Sequence, residues 1–114
     1  MEKICQSDAN VILNKLIKEF AVEEKLQKNR LIWNSLRYKP VIVTFEQVTK
    51  CNEQKGLIFY LERQKELFKV KIPDVEMYFE NLQPWSEIDA YLFDLTYSWL
   101  IAFTHEDIIL FLEH

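Results

Sequence analysis

The stretch Ile88-Asp89-Ala90-Tyr91-Leu92-Phe93-Asp94-Leu95-Thr96-Tyr97-Ser98-Trp99-Leu100-Ile101-Ala102-Phe103-Thr104-His105 decides how this chain is read. It has no Gly or Pro, it is rich in aromatic and aliphatic residues, and it splits into two strand-like runs, 88–94 and 97–105. With Leu95 and Thr96 at the tip of a hairpin, Leu92 faces Trp99, Ala90 faces Ile101 and Ile88 faces Phe103, all on one side. The opposite side pairs Phe93 with Ser98, Tyr91 with Leu100, Asp89 with Ala102 and Glu87 with Thr104. The first side is wholly apolar and belongs to a core. The second is part aromatic and part acidic. A final strand over 108–111 follows the Glu106-Asp107 turn.

Upstream, the pattern changes twice. Leu57 to Leu61 and Leu67 to Ile72 read as two strands joined by the polar link 62–66, and Val41-Ile42-Val43-Thr44-Phe45 reads as another. The polar segment 47–55 reads as a loop closed by Gly56, the one glycine in the sequence. Pro73 and Asp74 open a helix whose Val75, Phe79 and Leu82 share a face before Pro84 ends it. Further back, Ser7 is a candidate N-cap for a helix carrying Leu13, Leu16, Ile17 and Phe20 on one stripe, with Ala9 one turn earlier. The charged run 22–28 continues that helix or bends away. Leu31, Ile32, Trp33 and Leu36 suggest a second short helix, stopped by Pro40.

The expected fold is therefore α+β. N-terminal helices and one mid-chain helix pack on one face of a mainly antiparallel sheet of five or six strands, ending in a C-terminal hairpin or meander. With 114 residues, 49 % of them hydrophobic, one domain spanning residues 1–111 is expected. Leu112-Glu113-His114 resembles the start of a purification tag and is set outside that domain. The N-terminal residues lack an apolar signal-peptide core, and no apolar run approaches the length of a membrane span. A cytoplasmic protein with Cys5 and Cys51 reduced is expected.

Charge is distributed unevenly. All 14 Lys and Arg lie between Lys3 and Lys71, while nine of the 18 Asp and Glu lie beyond that point. Either the halves neutralise each other on folding, or an acidic face stays exposed for a basic partner. The basic residues Lys15, Lys18, Lys25, Lys28, Arg30, Arg37 and Lys39 are interspersed with Glu19, Glu23 and Glu24, as on a solvated helix. With no recognition motif and a net charge of −4, nucleic acid is not expected as a partner.

Catalytic patterns are sparse. His105-Glu106-Asp107 lacks the second histidine that a metalloprotease helix needs four residues on, where Ile109 stands. His105 remains an alternative general base, oriented by Glu106 or Asp107, although its parity places it at the rim of the core. No serine sits in a nucleophile elbow, and Cys51 beside Lys50 reads as an ordinary thiol. Glu87 and Asp89, about 7 Å apart by strand rise, lack a third ligand for a cation. No catalytic residue, cofactor or metal site is expected. The residues assigned to partner contact are Trp85, Glu87, Asp89, Tyr91, Asp94, Glu106 and Asp107, with Trp85 or Tyr91 as apolar anchor. A homodimer through the mixed hairpin side or an open edge strand is the alternative.

Several segments carry a resemblance: Leu31-Ile32-Trp33-Asn34-Ser35-Leu36, Gly56-Leu57-Ile58-Phe59-Tyr60-Leu61, Ala90-Tyr91-Leu92-Phe93-Asp94, and Tyr97-Ser98-Trp99-Leu100-Ile101-Ala102-Phe103-Thr104-His105-Glu106-Asp107. Together they resemble a group of small bacterial proteins, some of which look like toxin-immunity proteins. The resemblance implies an α+β fold with a C-terminal hairpin ending in a His-acid turn. It also implies a binding role, since immunity proteins commonly block a basic toxin with an acidic surface. It carries no catalytic residue.

Overall fold

The computed structural model describes residues 1–50 and 56–113. Seven antiparallel strands form one open sheet: β1 (Glu2–Lys3), β2 (Val41–Val43), β3 (Leu57–Leu61), β4 (Glu66–Val70), β5 (Ala90–Asp94), β6 (Trp99–Phe103) and β7 (Ile109–Glu113). Their spatial order is β1-β4-β3-β5-β6-β7-β2. The helices are α1 (Gln6–Phe20), α2 (Glu23–Asn29), α3 (Phe45–Thr49) and α4 (Ile72–Glu80), with a single 3-10 turn at Ile32–Asn34. The α+β, antiparallel reading holds. Against the six strand runs read from the sequence, the addition is β1, two residues at a sheet edge, and the run 41–45 is shortened to β2.

The helices are not confined to one face. Ile58, Tyr60, Tyr91, Phe93, Leu100, Ala102 and Leu112 pack under α1 and the 3-10 turn, against Leu16, Phe20 and Ile32. The alternate residues Leu57, Phe59, Leu61, Ala90, Leu92, Ile101 and Phe103 pack under α3 and α4, against Val48, Ile72 and Val75. The sheet is thus a central layer with both faces covered. Its middle strands are buried without alternation, every residue of β3 included. The physical reason is visible in the residues: a strand such as Leu57-Ile58-Phe59-Tyr60-Leu61 offers apolar surface to both sides and needs a cover on each.

In the C-terminal hairpin Leu92 pairs with Ile101 and Phe93 with Leu100. The tip therefore holds Leu95 to Ser98, two residues longer than expected. Tyr97 takes a left-handed conformation there, φ 54°, and its N–H donates to the Asp94 carbonyl at 3.1 Å. A register shift of two preserves the side on which every residue lies, so the division into two faces survives the wrong tip.

Near the N-terminus, α1 begins two residues earlier than Ser7 implies, with Cys5 at the cap position. The chain leaves the helix at Ala21 and turns back, and Ala21 bridges to Leu36. In the segment read as strand then loop, Thr44 instead starts α3: its hydroxyl accepts from the Gln47 N–H, and the Gln47 side chain accepts from the Thr44 N–H. This reciprocal pair is a capping box. The rest of the expected loop, 51–55 with Cys51, lies outside the described residues.

Leu112 corrects the domain boundary drawn at 111. It is 1 % exposed, pairs with Leu100, and lies in the core beneath α1. Glu113 pairs with Trp99 in the same strand. Both belong to the fold; His114 lies outside the described residues. Among the described residues, no helix is long and apolar enough to cross a membrane.

Candidate functional site

Asp89, just before β5, is the point where the two layers are tied together. Its side chain is fully buried, and a buried carboxylate demands hydrogen-bond donors. They come from three directions: Trp33 Nε1 at 2.8 Å, Arg63 Nε at 2.9 Å and His105 Nδ1 at 2.9 Å. The His105 backbone N–H adds a fourth at 3.3 Å. Burial alone would raise the Asp89 pKa, but these donors outweigh it and hold the carboxyl below its ordinary value. Asp89 is therefore an internal anion, not the exposed contact residue expected of it.

Tyr91 is likewise withdrawn from the surface. Its hydroxyl donates to Glu62 Oε1 at 2.6 Å and accepts from the Trp33 N–H at 3.0 Å. The Ile32 N–H also donates to Glu62, at 3.2 Å. The 3-10 turn is thus fastened to the sheet by backbone N–H groups at Ile32 and Trp33. Burial pushes the Glu62 carboxyl up to about 7, although the Tyr91 and Ile32 donors pull it down. Tyr91 itself is raised, by burial first and then by the neighbouring Glu62 charge.

Both assignments fail for one reason. They rest on a hairpin side that the sequence left open to solvent, and the structure covers that side with α1 and the 3-10 turn.

His105 stands at the end of the sheet between the layers. Its ring packs edge-on against Trp33, centroids 5.5 Å apart, and its side chain is 28 % exposed. Its orienting carboxylate is Asp89, not Glu106 or Asp107. An ionised carboxylate only accepts, so Nδ1 carries the proton in the Asp89 hydrogen bond and neutral His105 offers Nε2 as an acceptor.

On its other side His105 lines a pocket of about 380 Å³. Phe45, Phe79, Phe103, Ile88 and Ile109 form apolar walls, and Gln83, Ser86, Thr104 and Asp107 supply polar groups. The three phenylalanines pack on one another, Phe79 lying 4.8 Å from Phe103 and 5.3 Å from Phe45 between ring centroids.

Trp85 sits between two lining residues, Pro84 and Ser86, and is 77 % exposed. Glu87 follows on the same loop, exposed and paired with Arg63 at 3.3 Å. Glu106 and Asp107 are exposed on the turn that leads to β7, and Asp107 lines the pocket. Asp94 lies apart, at the hairpin tip, where it accepts from Thr96 and from Trp99 Nε1. The expected contact set therefore divides. Asp107 lines the pocket, Trp85, Glu87 and Glu106 are exposed next in sequence to residues that line it, Asp89 and Tyr91 are internal, and Asp94 stabilises a turn.

The charge halves meet little. Among the described residues, Arg63 is the one Lys or Arg that pairs with an acid beyond residue 71, bridging Glu87 and Asp89. Helices α1 and α2, each carrying two acids and two bases, cover one face of the sheet, whereas α4, the Trp85 loop and the Glu106 turn lie toward the other. Among the described residues no group of three or more His, Cys, Asp or Glu is placed to hold a metal ion.

No protein-family model matches the sequence, and no curated protein or solved structure is significantly similar to it.

Proposed function

We propose that this chain is a non-catalytic, cytoplasmic protein-binding module that neutralises a basic partner, in the manner of a toxin-immunity protein, through the acidic mouth around Trp85. The observation that carries the reading is Trp85 itself. A tryptophan 77 % exposed on a loop that also carries Glu87, with Pro84 and Ser86 of that loop lining the same pocket as Asp107, has the composition of an interface anchor within a charged rim. In this mechanism Trp85 supplies buried apolar area on docking, and Glu87, Glu106 and Asp107 steer Lys and Arg of the partner. The resemblance to immunity proteins and the one-sided charge distribution support the same reading.

The test is capture of partners from lysate of the source organism at low and at moderate salt, read by mass spectrometry. A stoichiometric basic protein that washes off as salt rises is expected, because screening shortens the reach of exposed charges. Retention that ignores salt, or no partner at either salt, argues against it.

A second reading has its own observation. β2 is the last strand of the sheet, and its Val41 and Ile42 are 57 % and 73 % exposed. An open edge with two exposed aliphatic side chains suits antiparallel pairing with a second copy. Light scattering on the purified chain separates the two readings: a stable dimer without a captured partner favours the edge.

A further inference from the structure

The pocket beneath the Trp85 loop has a chemistry of its own, apart from any protein docking at its mouth. Its volume, about 380 Å³, lies in the range of small-molecule sites, roughly 300–1,000 Å³. Three kinds of group face it. Phe45, Phe79 and Phe103 present aromatic surface, and the π faces of such rings attract cations. Asp107 lines the pocket with a negative charge, and among the described residues no Lys or Arg does. His105 also lines it, and because Asp89 engages Nδ1 at 2.9 Å, neutral His105 keeps Nε2 as its acceptor nitrogen. Among the described residues nothing hydrogen-bonds that Nε2.

Aromatic walls, a carboxylate and an imidazole acceptor all favour the same head group. We infer that this pocket binds a small organic ammonium ion carried on an apolar body, with the body against Phe79 and Phe103 and the charged head between His105 and Asp107. A carboxylate ligand of the same shape meets the wrong sign at Asp107 and a lone pair at His105. A neutral alcohol keeps the hydrogen bond to His105 but loses the attraction to Asp107 and to the rings.

The experiment titrates the purified chain with three nearly isosteric probes, 2-phenylethylammonium, 2-phenylethanol and 3-phenylpropionate, and follows the His105 ring signals by NMR. Saturable shifts are expected for the ammonium, weaker binding for the alcohol, and none for the carboxylate. Asp107→Asn should weaken the ammonium about fivefold, the size of one partly screened charge contact, and leave the alcohol unchanged. Asp107 has φ 60° and is exposed, a conformation asparagine also accepts, so the variant keeps the fold. Binding of the carboxylate as tightly as the ammonium overturns the inference. So does an ammonium affinity indifferent to Asp107→Asn, or the failure of all three probes to move His105. Because no protein partner takes part, these outcomes are independent of the capture experiment.

Discussion

At Asp89 a single carboxylate satisfies Trp33, Arg63 and His105 at once. Asp89→Ala leaves the Trp33 indole N–H and the His105 imidazole without their acceptor, while the half-exposed Arg63 keeps Glu87, and the expected cost is about 1–3 kcal/mol for each group left unpaired, measured by urea denaturation. A cost within experimental error of a surface substitution would show that the network is not formed in solution. Glu62 behaves in the opposite sense with pH. Its carboxyl titrates at about 7 in the fold against an ordinary 4.5, so between those values the native state holds a proton that the unfolded chain has released. Stability contributed by this site is therefore present below about 4.5 and lost as pH rises through about 7. Glu62→Gln keeps an acceptor for Tyr91 and Ile32 without the charge. It should stabilise the protein at pH 8 by roughly 1–3 kcal/mol and have little effect at pH 4; equal effects at both would contradict the assignment. Neither role was legible from sequence. The donors to Asp89 arrive from Trp33 and Arg63, 56 and 26 residues away, and parity within one hairpin says nothing of what a distant segment lays over it. His105 at the rim of the core was legible, because its position follows directly from the strand that carries it.

Among the elements, the central strands were the most readable and the short ones the least. β3 runs over Leu57–Leu61 as the pattern indicates, since five consecutive apolar residues bounded by Gly56 and Glu62 leave little choice. β1 pairs only two residues, Glu2 and Lys3, which carry no strand signature. α3 was missed although its signal was present: Thr44 and Gln47 stand at capping-box spacing inside what reads as the end of a strand. Thr44→Ala should cost about 1 kcal/mol, detected as a lower denaturation midpoint. The same packing layer holds Phe45 against Phe79, so loss of this cap also loosens one wall of the pocket. At the sheet edge, Ile42→Lys should leave stability within about 0.5 kcal/mol while abolishing any dimer seen by light scattering. An unchanged dimer would remove β2 from consideration as a contact.

Over the whole molecule, the decisive feature is that both faces of the sheet are covered. The continuous apolar runs in β3, β5 and β6 already implied it, because a strand with one wet face alternates. The mixed side of the hairpin concealed it, since Asp89 and Tyr91 look like surface residues until their buried partners are known. Covering both faces also decides which C-terminal residues belong to the fold: Leu112→Ala should cost about 2–5 kcal/mol, as expected for a core position and not for an appended tail. The charge-balanced helices α1 and α2 lie on one face, and the acidic loops open toward the other, with Arg63 their counter-charge among the described residues. In the proposed mechanism these loops, and not the net charge of −4, select a basic partner. The most direct test runs partner capture side by side with the wild type, with Glu106→Lys combined with Asp107→Lys, and with Glu23→Lys combined with Glu24→Lys as a reversal of equal charge on the opposite layer. A basic protein retained by the wild type and by the Glu23 and Glu24 reversal, and lost from the Glu106 and Asp107 reversal, is the predicted result; equal retention or equal loss in the two reversals would contradict it.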